Sequence, residues 1–299
     1  MKSTFLSSLR PKDFVWTATE LLLMRIAISA LILFMGVHWE MVPFQPEPEK
    51  LNGFARLVPL GWILQPAVLL TLKVLTGIGL VLYIFGIAPV LSLLPAMLTL
   101  FGTGALRNSK GDISHSTQVL AMSLLGIWIA YLVSAIRRKP WKKADHAQHS
   151  LAIWAAILMI AASYVASGIV KLKASDGKWI QRVPNMAVQM VKSNLSDYYS
   201  KPEGDISKTL TESAPQFLTE NPNKARLFFG VGLVLELGAF VLLFGRRWAF
   251  IFGGMLLMMH VGISLMMKIE FWNHITLLAF ICVLPGILGM FRKSESPAA

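Results

Sequence analysis

The segment YVASGIVKLKASDGKW, Tyr164 to Trp179, places Lys171 just where an apolar run stops. An amine there has two readings. It is either a snorkelling anchor, with its stem on apolar surface and its head in water, or a base, which requires the neutral amine and surroundings that disfavour charge. On a helix turning about 100° per residue, Tyr164 and Lys171 lie roughly 20° apart, with Gly168 between them in height. A hydroxyl, a gap and an amine then share one stripe. The gap at Gly168 admits another backbone or a flat ligand.

Other polar groups collect near the same depth. His115 opens an apolar run, His260 lies within one, His274 beside Asn273 opens another, and His38 closes the first. With Lys171 these are expected on one face of a membrane. Arg25, Lys73 and Glu236 fall inside apolar runs, where an unpaired charge costs at least ~2.5–3.5 kcal/mol on insertion scales and so calls for a partner. Arg25 with Glu236 reads as a pair holding a bundle together. His146 and His149 sit among lysines and suggest no special role. Met255, Met258, Met259, Met266 and Met267 around His260 could form a soft copper site, but helix packing explains them better.

The elements that must position these groups are membrane spans. Of the 299 residues 55% are hydrophobic and only 15% charged, against about a quarter charged in soluble domains; the mean hydropathy is +0.59. Apolar windows of the roughly 20 residues that cross a bilayer recur at 16–38, 66–86, 87–106, 116–136, 150–171, 226–244, 247–267 and 273–291. The third contains Pro89 and Pro95, and a re-entrant segment there would leave seven spans.

Basic clusters set the orientation: Lys2, Arg10 and Lys12; Arg137, Arg138, Lys139, Lys142 and Lys143; Arg246 and Arg247; Arg292 and Lys293. With about eight spans all four fall on one side, which the positive-inside rule makes the cytoplasm, with both termini there. The first span is expected to stay as an anchor, being too long for a secretory signal core and lacking a cleavage site. The net charge of +12 comes with no soluble basic face or recognition motif, so no nucleic-acid partner is expected. The one cysteine, Cys282, excludes a dithiol pair within the chain.

The fold class expected is therefore an all-α, polytopic transmembrane helical bundle of about eight spans, one domain over 1–299. Two outer segments are long. One covers 39–65. The other, 173–225, opens with an amphipathic stretch from Trp179 to Leu195 that reads as an interfacial helix, with Ile180, Val183, Ala187, Met190, Val191 and Leu195 on its apolar face. No inverted repeat and no phosphate-loop, HExxH or GxSxG pattern is present.

The run SGIVKL followed by Trp179, the stretch DISHSTQVL, and the block LVLELGAFVLLFGRRWAFIFGGMLLMMHVGISLMM resemble, in order and spacing over roughly residues 105–285, the vitamin K-dependent carboxylase-like (HTTM) membrane superfamily. In the carboxylases the matching lysine deprotonates reduced vitamin K, and oxygen then yields the strong base that precedes CO2 addition to glutamate. The resemblance implies Lys171 as base and His115 as its partner. Around them Tyr164, Gly168, His260, Trp179 and His274 are expected to line the site of a reduced quinone, menaquinone- or vitamin K-like, and no residue is assigned to a metal. Val170 replaces the lysine that usually precedes the base, and Asp-Ile-Ser stands before His115 where asparagines are usual. No counterpart of the animal enzymes' lumenal domain is seen, so glutamate carboxylation is not expected.

These readings lead to an inner-membrane protein, in contact with lipid, with a quinone site at its exoplasmic face and an envelope peptide or protein as substrate. Two rivals stand beside the enzyme: a non-catalytic maturation factor for an exported peptide, and a small-solute transporter using Arg25, Lys73 and Glu236.

Overall fold

The computed structural model describes residues 14–34, 51, 54–58, 60–109, 115–137, 139–200, 206–269 and 271–290; the side chains of residues 54, 64, 115 and 116 are not among those described. His38 and most of 39–65 before residue 54 lie outside the described residues. The described chain is helical, with no strand. Seven of its helices are long and apolar enough to cross a membrane. The chain is an all-α, multi-pass membrane protein.

Helix α1 (Ala18–Leu31) starts on a capping box in which the Thr17 hydroxyl accepts from the Glu20 amide and the Glu20 carboxylate accepts from the Thr17 amide. Its expected span, 16–38, is described only to residue 34. Helices α2 (Pro66–Ile84) and α3 (Pro89–Asn108) both begin on proline, which lacks the amide that a first turn leaves unpaired. Neither proline of α3 interrupts the crossing: Pro89 starts the first turn and Pro95 falls just inside the longer stretch, Leu94–Asn108.

Helix α4 (His115–Ile136) returns through the bundle. Helix α5 (His146–Ala174), which a second capping box at Asp145 and Gln148 opens, is the longest at 29 residues. It packs on α4, α1 and the later helices and forms the axis of the bundle. At the α4–α5 contact a Cβ on Gly126 would stand 2.7 Å from the Ala155 carbonyl oxygen, the close approach that small residues allow where lipid offers no hydrophobic drive. Serines at 123, 134 and 163 return their hydroxyls to carbonyls four residues earlier and so bury no free polar group.

The segment after α5 folds back as a cap. A turn at Trp179–Arg182 leads through Pro184 into α6 (Met186–Ser200), followed by α7 (Ala214–Glu220). The expected amphipathic helix is thus broken at Pro184. Its buried face is Val183, Ala187, Met190 and Asn194, while Ile180 is exposed and Val191 and Leu195 are half-buried. That face packs on Leu218, Ala225, Phe229 and Met267 as a small core separate from the main one. The segment covers one end of the bundle.

Helix α8 (Pro222–Leu237) continues in a tighter turn to Phe244, α9 (Arg246–Met267) follows, and α10 (Trp272–Met290) completes the described chain. The end opposite the cap is tied by named contacts. Ala88 donates to Lys142 O and Ala144 to Gly86 O, both at 2.8 Å, so the α2–α3 and α4–α5 links lie together. The Arg246 guanidinium donates to the Glu20 carboxylate, the Val15 carbonyl and the Pro285 carbonyl, joining α1, α9 and α10. The described parts of the second and third basic clusters therefore share this end, as the sequence pattern requires.

Candidate functional site

Two groups of polar side chains are buried in the bundle, one toward the cap and one toward the basic end. In the first, the Lys171 ammonium donates to both carboxylate oxygens of Glu236, at 2.5 and 2.7 Å. The Glu236 side chain is 8% exposed and that of Lys171 36%. Leu237, next to Glu236, packs against Gly168, so a Cβ there would fall 2.8 Å from Leu237 Cδ2. The gap predicted at Gly168 is filled by α8, and this close approach brings the acid within reach of the amine. Lys171 also lies 5.5 Å from the ring centroid of Trp179 in a cation–π contact. The amine is held by an acid and an aromatic ring, and is not a free anchor in water.

Two turns earlier on α5, the Tyr164 hydroxyl meets His260 Nε2 of α9 at 2.7 Å. The His260 ring stands 4.6 Å from Phe271 and 4.7 Å from His274, and Tyr164 packs edge-on to His274 at 5.7 Å. All but Phe271 are buried. His260 Nδ1 is buried with no hydrogen-bond partner among the described residues. A phenol has a single O–H to donate, so the arrangement that uses it sends that proton to Nε2 and leaves the imidazole hydrogen on Nδ1. In that tautomer His260 Nδ1 would be a buried N–H donor beside a wall of aromatic and imidazole rings.

The group near the basic end was not legible in the sequence. Arg25 donates through Nε to Leu21 O, and its Nη1 lies 3.4 Å from Tyr83 O and 3.1 Å from His149 Nε2. His149 Nδ1 is 2.6 Å from the Tyr131 hydroxyl. Gly86, at φ +71°, sits against this cluster, and a Cβ on it would come within 2.8 Å of His149 Nε2. The expected Arg25–Glu236 pair does not form. His149, beside Arg25, and Lys171, which holds Glu236, are separated on α5 by about 33 Å at 1.5 Å per residue. His149 appeared idle because it is surrounded by lysines in sequence, whereas its place one turn into α5 turns its ring inward.

The structure therefore joins Lys171 with Trp179, joins Tyr164, His260 and His274 in one cluster, and occupies the gap at Gly168 with protein. His115 opens α4, which packs on the first turns of α10 that carry His274; its side chain is outside the described residues. Phe271 enters the site unannounced. Glu236 was visible as an intramembrane acid, but its partner was misassigned. Lys73 is half-buried on α2. Comparison with known protein families, with curated proteins and with solved structures finds no match.

Proposed function

We propose that the protein is a quinone-binding enzyme of the inner membrane that performs a base-dependent, quinol-linked modification of an envelope peptide or protein at its exoplasmic half. The observation that carries this reading is the amine–carboxylate pair of Lys171 and Glu236 beside the Tyr164–His260–His274 cluster, with its unused His260 Nδ1. A flat ring that entered the cluster would stack on its aromatic and imidazole faces. An oxygen on that ring would accept from Nδ1, and desolvation of the site strengthens such a bond.

Lys171 acts as a base only as the neutral amine, so its resting proton must pass to the neighbouring Glu236 carboxylate, giving an amine and a carboxylic acid. The neutral Nζ would then take a hydroxyl proton from a bound quinol, and the new ammonium would regain its carboxylate as Glu236 passes its own proton to water. A reduced quinone supplies the acidic hydroxyl and the electrons for reaction with oxygen. The resemblance to vitamin K-dependent carboxylases supports the quinone. The same chemistry places the site at the membrane, where quinones reside.

Mass spectrometry of lipids and peptides that co-purify under gentle extraction tests the ligand. The expected result is a bound quinone, weakened in His260→Ala. No quinone on purification and none bound on addition sinks the reading. Lys171→Ala and Lys171→Arg are both expected to abolish quinol-dependent modification, while full activity with arginine would return the lysine to the role of anchor. Uptake by proteoliposomes that needs Glu236 and not Lys171 would point to transport instead.

A further inference from the structure

The cap and α8 border a groove that the chemistry at Lys171 does not use. It runs between α6, α7 and the first half of α8, with Met266 of α9 as a further wall. Its volume of about 630 Å³ lies in the range of roughly 300–1,000 Å³ found for small-molecule sites. The lining is apolar, including Met190, Phe217, Phe228 and Val231, and Lys224 is the only charged residue in it among the described residues. On α8, Leu227, Phe228, Val231 and Val234 are all more than half exposed. Because Pro222–Phe244 is one of the candidate spans, a bilayer around it would set acyl chains against this exposed face and beside the groove.

The charge at the mouth selects among lipids. Lys224 stands in the first turn of α8, with its amine 5.1 Å from the Phe217 ring centroid. It forms no ion pair with a described carboxylate: Glu220, four residues earlier, accepts from Gln216 at 2.8 Å. The unpaired amides of that turn add positive potential at the same place. A phosphate with net negative charge neutralises this corner, whereas the head of a zwitterionic lipid brings its own cation. We propose that the groove binds one anionic phospholipid, with an acyl chain between Phe217 and Val231 and the phosphate against Lys224.

The full chain, reconstituted in nanodiscs of equal phosphatidylglycerol and phosphatidylcholine, is released into mild detergent and its retained lipids are counted by native mass spectrometry. Wild type is expected to keep one phosphatidylglycerol, with a preference of about fivefold, as one lysine facing anionic lipid provides. Lys224→Gln should keep a lipid but lose the preference, and Val231→Trp, which fills the groove, should lose the lipid. Absence of retained lipid in wild type, or retention and preference unchanged in both variants, overturns the proposal. A photo-crosslinker at Phe217 gives a readout that leaves Val231 intact. A phospholipid adduct supports the site, whereas adducts only with residues 35–50 or with a second copy of the chain overturn it.

Discussion

Glu236 accepts both of its hydrogen bonds from Lys171, so removal of the amine leaves a buried carboxylate without its counter-charge. Lys171→Met is expected to destabilise the protein by about 1–3 kcal/mol, the cost of an unsatisfied buried group. The double variant Lys171→Met with Glu236→Met should regain most of that loss, because both charges then leave together. Thermal unfolding in nanodiscs reads the difference, and equal stability of single and double variants would show that the pair holds nothing. At the other end, Gly86→Ala forces φ +71° on a residue with a Cβ and pushes that carbon onto His149. A loss of at least about 1 kcal/mol is expected, with Arg25 and Tyr131 released from the imidazole. Neither the Lys171–Glu236 pair nor the Arg25–His149 contact follows from spacing along the chain, since each joins helices far apart in sequence.

The helix ends decide how the elements meet. Asn194 on α6 donates one amide to its own helix at Met190 O and to Met266 O, both at 2.9 Å, and so caps a carbonyl that the last turn of α9 leaves free. Lys268 follows in the left-handed region at φ 52°. Lys268→Gly should therefore stabilise α9 by up to about 1 kcal/mol, and Asn194→Ala should loosen the cap by about 1 kcal/mol. Hydrogen exchange of the amides at the end of α9 measures both changes, in opposite directions. The apolar face of the cap was legible as a period near 3.6 residues. The break at Pro184 was less so, because a proline is tolerated in the first turn of one helix as readily as it ends another. Asn194 lies on the buried face for a reason no hydropathy pattern carries: it satisfies another helix's carbonyl.

At the scale of the molecule, two links and the Arg246 contacts gather the described parts of the second and third basic clusters at the end opposite the cap. If the basic end is cytoplasmic, a cysteine at Ser207 should react with a membrane-impermeant maleimide in intact cells, and one at Lys142 only after permeabilisation. The native Cys282 is buried and gives no background. The reverse pattern would invert the site. Composition by itself determined the class of fold, because a bilayer core accepts only helices that satisfy their own backbone, or closed barrels, and leaves a long apolar run for each crossing. The same rule made the spans readable within a few residues. It says nothing of which faces touch. Helices in lipid associate through close packing and polar contacts instead of through a hydrophobic stripe. Only the tertiary structure could therefore pair Lys171 with Glu236, bring Tyr164, His260 and His274 together, close the gap at Gly168 with Leu237, and give Arg25 to His149.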